Sequence, residues 1–116
     1  MKHLNLSYIK ENVTNDESFI RQLLDVFLQG LENGLPQLEK AIELGDHTSI
    51  QHSAHKVKSG FRSLGMQDMT SFLQALEDQG KEGAPLADII DRMEEFNLLL
   101  PDVGQEIEDY KANAGS

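Results

Sequence analysis

Between His47 and Gln67 an otherwise acidic chain carries no aspartate or glutamate. The same window holds His47, His52 and His55 together with Lys56, Lys58 and Arg62. Residues three and four apart share a helix face, so a helix here groups His55 with Gln51, His52, Lys58, Ser59 and Arg62. A neutral imidazole is a nucleophile. Cations beside it disfavour its protonation, and they attract a phosphoryl group and stabilise charge on its oxygens. Ser59 is small and one turn away, which leaves a partner's active site room to reach the ring. Gly60 costs a helix about 1 kcal/mol relative to alanine, and such a cost points to packing or access. The plain alternative is a solvated cationic face carrying an ordinary surface histidine.

The elements that must position these groups read as helices almost throughout. A short first helix is expected over Ser7–Val13. Thr14 and Glu17 then offer a capping box, with acidic residues in the first turn. Ile20, Leu23, Leu24, Phe27, Leu31, Leu35, Leu38, Ala41 and Ile42 fall on one stripe of a long helix ending near Gly45, with a kink or break expected at Pro36. Asp46 is placed to cap a helix over His47–Leu64. Its apolar stripe is Ile50, Ala54, Val57, Phe61 and Leu64, and Gly65 is the stop. His55 is one residue from Ala54 and belongs at the border of the buried face.

Gln67–Gln79 carries Met69, Phe72, Leu73 and Leu76. Gly80 and Gly83 are expected to bracket a loop, and Pro85 suits a first turn. The last helix presents Leu86, Ile89, Ile90, Met93, Phe96, Leu100, Val103, Ile107 and Tyr110 on one face, with a bend at Pro101. Residues 112–116 read as a frayed tail. No segment shows the period-two alternation of a strand. Short loops between long amphipathic helices predict an all-α, antiparallel up-down-up-down four-helix bundle with a short extra N-terminal helix, filling residues 1–116 as one domain.

Composition narrows the function classes. At 116 residues the chain can bury a core without disulfides or a structural metal. With no cysteine it has no thiolate metal site and no cysteine nucleophile. A net charge of −10 argues against nucleic-acid or anionic-lipid partners. The opening MKHLNLSYIKENV lacks the apolar run of a signal peptide, and no stretch approaches a membrane span. The expectation is a soluble, cytoplasmic monomer. There is no GxxxxGK[ST] loop, so ATP chemistry is not expected of this chain.

The string His55-x-x-Lys58-small-x-x-x-x-Leu64-Gly65, with Ala54 before the histidine, resembles the signature of histidine-containing phosphotransfer (Hpt) domains of two-component phosphorelays. Asn5-Leu6-Ser7-Tyr8-Ile9-Lys10, Phe19-Ile20-Arg21-x-Leu23-Leu24-x-x-Phe27 and the Gly45-Asp46 turn also have counterparts there. The family usually places glycine directly after the motif lysine. Here Ser59 stands in that place and Gly60 follows.

The resemblance implies that His55 accepts a phosphoryl group from a receiver-domain aspartate and passes it to another receiver. It implies that Lys58 contacts or offsets the phosphoryl charge, and that Glu77, on the following helix, orients the imidazole. The partners implied are response-regulator receiver domains and a hybrid sensor histidine kinase. The magnesium ion belongs to the receiver, and the chain needs no cofactor of its own. A docking surface is expected around His55 from apolar and small residues of the motif helix and the preceding one. It includes Gln51, His52, Ser59 and Gly60, with Lys56, Lys58 and Arg62 at the rim. Two other readings fit the same residues: a receiver-binding module without transfer, and a bundle holding a metal through His52, His55 and Glu77.

Overall fold

The computed structural model describes residues 2–114. Five helices follow in order: α1 (Leu6–Asn12), α2 (Glu17–Leu44), α3 (His47–Ser63), α4 (Gln67–Glu82) and α5 (Leu86–Ala114). No strand occurs among the described residues. The helices after α1 are joined by turns of two or three residues, which force each to run back along its predecessor. The α2–α3, α3–α4, α4–α5 and α2–α5 pairs all pack, closing the four long helices into a bundle.

Capping explains why α3 begins and ends where it does. The Asp46 carboxylate accepts hydrogen bonds from Ser49 N (3.2 Å) and Ser49 Oγ (2.9 Å). These bonds hold its carboxyl below the ordinary carboxylate value. Gly45, at φ 66°, ends α2 in the left-handed region that favours glycine. The end of α3 is turned by Gly65, where any side chain would run into the Tyr8 ring of α1.

The apolar stripes meet in one core. Ile50, Ala54, Val57 and Phe61 of α3, and Leu64 at its C-cap, are all buried. Phe61 lies edge-on to Phe27 of α2 (4.9 Å between centroids) and to Phe96 of α5 (5.9 Å). The N-terminal segment is strapped across the α3–α4 turn. The buried His3 ring pairs with Asp68, and the backbone N–H groups of His3 and Leu4 donate to Glu106.

Several expectations are corrected. Asp16, not Thr14, caps α2, accepting from Ser18 N and Phe19 N. Thr14 Oγ1 instead accepts from Asp16 N, so the Thr14–Glu17 box does not form. The break allowed at Pro36 does not occur, since α2 continues through it; α5 likewise continues through Pro101. Gly80 lies inside α4 and is buried, and only Gly83 serves as the stop. Pro85 immediately precedes α5 rather than standing in its first turn. Leu86 and Ile90 fall on the exposed side of α5. The helix also continues to Ala114, which takes in residues 112–114 of the expected tail; 115–116 lie outside the described residues.

Candidate functional site

His55 projects from the middle of α3 with 58% of its side chain exposed. Its Nδ1 lies 2.7 Å from Oε1 of Glu77 on α4. The same carboxylate oxygen is 3.0 Å from Lys58 Nζ. Lys58 is 5% exposed, and its ammonium also donates to Gln74 Oε1 at 2.8 Å. Gln74 Nε2 donates onward to Asp78 Oδ1 at 2.9 Å. A buried ammonium needs such partners, because an unpaired charge inside a protein is costly.

Burial opposes charge on Glu77, but hydrogen bonds from Lys58 and His55, with their positive charge, outweigh it. The carboxyl is held below its ordinary value. Near neutral pH Glu77 is therefore ionised and is an acceptor only. The His55 Nδ1 that faces it must donate, so the proton of the neutral ring is on Nδ1. The lone pair is then on Nε2, on the edge of the ring away from the bond to Glu77.

The other residues singled out from the sequence divide by face. His52, Lys56, Ser59 and Arg62 are exposed, whereas Gln51 and Gly60 are half-buried. Ser59 Oγ donates back to the His55 carbonyl at 3.0 Å, so the hydroxyl is turned down along its own helix. Lys58 is not at a rim, as its position beside Lys56 and Arg62 in sequence suggested. It points between α3 and α4, two residues out of phase with Lys56. Among the described residues no group of three or more His, Asp or Glu side chains is placed to hold a metal ion.

On its other flank α3 borders an apolar groove of about 470 Å³, walled by α2. Leu23, Phe27, Gly30, Gly34, Val57 and Gly60 form much of its lining, and Lys56 stands at its edge. Between His55 and this groove the helix surface carries Ser59, Ser63, His52 and Lys56, all exposed and two of them serines.

Sequence reasoning missed two residues of the α3–α4 seam. Gln74 is sixteen positions from Lys58, and no local pattern joins them. Gly80 did leave a signal, because Met69, Leu73, Leu76 and Gly80 continue one stripe at spacings of four, three and four.

No match emerges from comparison with curated proteins or with solved structures. Comparison with protein-family models matches the Hpt domain over residues 22–112. That span takes in most of α2 and all of α3 and α4, including the His55–Glu77–Lys58 seam. Among the described residues no helix is long and apolar enough to cross a membrane. The chain belongs to the Hpt domain family, the histidine phosphotransfer domains of two-component phosphorelays that interact with receiver domains of response regulators and hybrid kinases.

Proposed function

We propose that His55 is the phosphoacceptor, that its Nε2 is the attacking atom, and that the group moves between aspartates of two receiver domains. The observation that carries this reading is the single hydrogen bond from Nδ1 to an ionised Glu77 beneath a ring that is otherwise open. In the transfer, Nε2 donates its lone pair to phosphorus as the phosphorus–oxygen bond to the receiver aspartate breaks. The aspartate leaves as a carboxylate, and positive charge arising on the ring is met by Glu77. In the second step the group leaves Nε2 for another receiver aspartate, and the ring returns to its Nδ1–H form.

Phosphoryl transfer asks chiefly for in-line placement and charge neutralisation. The receiver brings the aspartate and the magnesium ion. Lys58 offsets the Glu77 charge at 3.0 Å, so an incoming phosphoryl group does not meet a bare carboxylate. The groove between α2 and α3 supplies the apolar part of the docking surface. Exposed Lys56 and Arg62 complement the acidic active-site cluster of a receiver. Reversing both charges is expected to slow transfer several-fold at low salt, with the gap closing as salt rises. Unchanged kinetics across that range would remove Lys56 and Arg62 from the docking surface. The acceptor assignment is tested by incubating a radiolabelled phospho-receiver with the wild type and with His55→Gln. An acid-labile, base-stable label is expected on the wild type alone.

A further inference from the structure

α3 and α4 form the most extensive helix pair of the bundle, and their contacts follow one antiparallel register. His47 Nε2 lies 2.7 Å from the Ala84 carbonyl. One turn along α3, the backbone of Gln51 faces Gly80. One turn further His55 meets Glu77, and the next turn brings Lys58 to Gln74. Each step of three or four residues up α3 is matched by a step of three or four down α4.

The Gly80 rung is the closest. A Cβ there would stand 2.7 Å from Gln51 N, 2.9 Å from the His47 carbonyl oxygen and 3.1 Å from Gln51 Cα. All three are backbone atoms of a regular helix, so none can swing aside as a side-chain tip would. Ordinary contact begins near 3.4 Å. Any side chain at position 80 must therefore move one helix away from the other, by on the order of 0.5–1 Å. Glu77 is one turn from this contact. Its 2.7 Å bond to His55 would open by a similar amount, toward the limit of hydrogen bonding.

We infer that Gly80 is a positioning residue: its missing side chain sets the α3–α4 spacing that keeps Glu77 within hydrogen-bond reach of His55 Nδ1. Its effect on transfer rests on the reading of His55 as acceptor. Its effect on the ring does not. The helical cost of a glycine inside α4 is thereby offset by geometry at the neighbouring rung, and the residue touches no phosphoryl group.

The experiment reads the His55 tautomer by ¹⁵N NMR at about pH 8, well above the ordinary imidazole pKa, alongside transfer from a phospho-receiver. In the wild type Nδ1–H is expected to dominate. Gly80→Ala should retain its helical content, shift His55 to a mixture of tautomers and lower the transfer rate roughly ten-fold, the scale of one charge-assisted hydrogen bond. Adding Gly80→Ala to Glu77→Ala should cost little more than Glu77→Ala alone. Gly104→Ala places its Cβ in open space on α5 and should leave tautomer and rate as they are.

A wild-type tautomer in Gly80→Ala, or a loss fully additive to that of Glu77→Ala, overturns the inference. An equal tautomer shift in Gly104→Ala overturns it as well. Should Gly80→Ala not fold, Glu77→Asp withdraws the carboxylate by one methylene and leaves the helix contact intact. That variant must then give the mixed tautomer, and a wild-type tautomer in it rejects the spacing role. Because the tautomer readout needs no phosphoryl donor, a mixed tautomer in Gly80→Ala supports the inference even if transfer proves to use another residue.

Discussion

On its α4 side, α3 meets its neighbour through polar groups held close by a glycine. On its α2 side it leaves about 470 Å³ of groove, largely apolar, between the helices. The seam is filled and hydrogen-bonded, with Lys58 buried and Glu77 17% exposed. The groove is floored by glycines and the edge of Phe27 and is open to solvent. Gly80 and Gly30 serve the two flanks in opposite ways. At position 80 glycine lets two backbones touch. At position 30 an added Cβ would meet nothing within 4 Å, so the missing side chain leaves space unoccupied. One flank fixes the direction of a single imidazole. The other leaves a largely apolar surface open. Chemistry and docking should therefore come apart under mutation, although both flanks belong to one helix.

The largest separation is expected from the seam. Glu77→Ala removes the acceptor for Nδ1 and leaves Lys58 only Gln74 as a partner, and transfer should fall about 10- to 100-fold with receiver affinity nearly unchanged. Lys58→Met should do the same, and because each variant removes one partner of a buried pair, both should destabilise the fold by roughly 3 kcal/mol. Stopped-flow transfer and calorimetric binding, measured on the same variants, check both halves. A parallel loss of affinity would show that the seam is also a docking surface.

The groove should give the mirror image at smaller size. Gly30→Leu puts a side chain into open space, so folding is not penalised by a clash. The receiver loses a site for its own apolar group, and its affinity should weaken about ten-fold. Phosphorylation of His55 by a small chemical donor such as phosphoramidate should stay at the wild-type rate. If the small-donor reaction falls as well, the two flanks are not independent.

The smallest effect concerns pH. The Glu77 carboxyl is held below its ordinary value of 4.5, so the folded state binds that proton less readily than the unfolded chain does. The stabilisation is complete above pH 4.5 and is lost as pH falls through the lowered folded value. Urea titrations should show the stability gap between wild type and Glu77→Gln shrinking over that acid range and flat above it. A gap that widens toward acid would mean the pair is not held as an ion pair.

The two flanks also differ in how far the sequence revealed them. The bundle was legible because each helix carries its apolar stripe at three- and four-residue spacing, and the α3 stripe is buried in full. Helix ends were legible where a glycine or an aspartate does the capping, as at Gly45 and Asp46. The Asp16 cap was obscured because Thr14 and Glu17 offer a competing pattern around it. Pro36 left a kink and a break equally open, and the helix passes through it without a break, as α5 passes through Pro101. At the site, the cation-rich window marked His55, but one-dimensional spacing could not say which cation turns inward. Lys58 is buried because it is on the α4 side, whereas Lys56 is on the α2 side and stays in water. Gln74 and the Gly80 contact depend on the register between two helices, which no single helix encodes.

The central claim is that His55 alone carries the phosphoryl group. Its most direct test is the phospho-receiver assay with wild type, His55→Gln and His52→Gln, followed by mapping of the labelled residue by mass spectrometry. The expected result is an acid-labile, base-stable label on His55 in the wild type and in His52→Gln, and none in His55→Gln. A label that persists in His55→Gln, or that maps to another residue, would contradict the assignment.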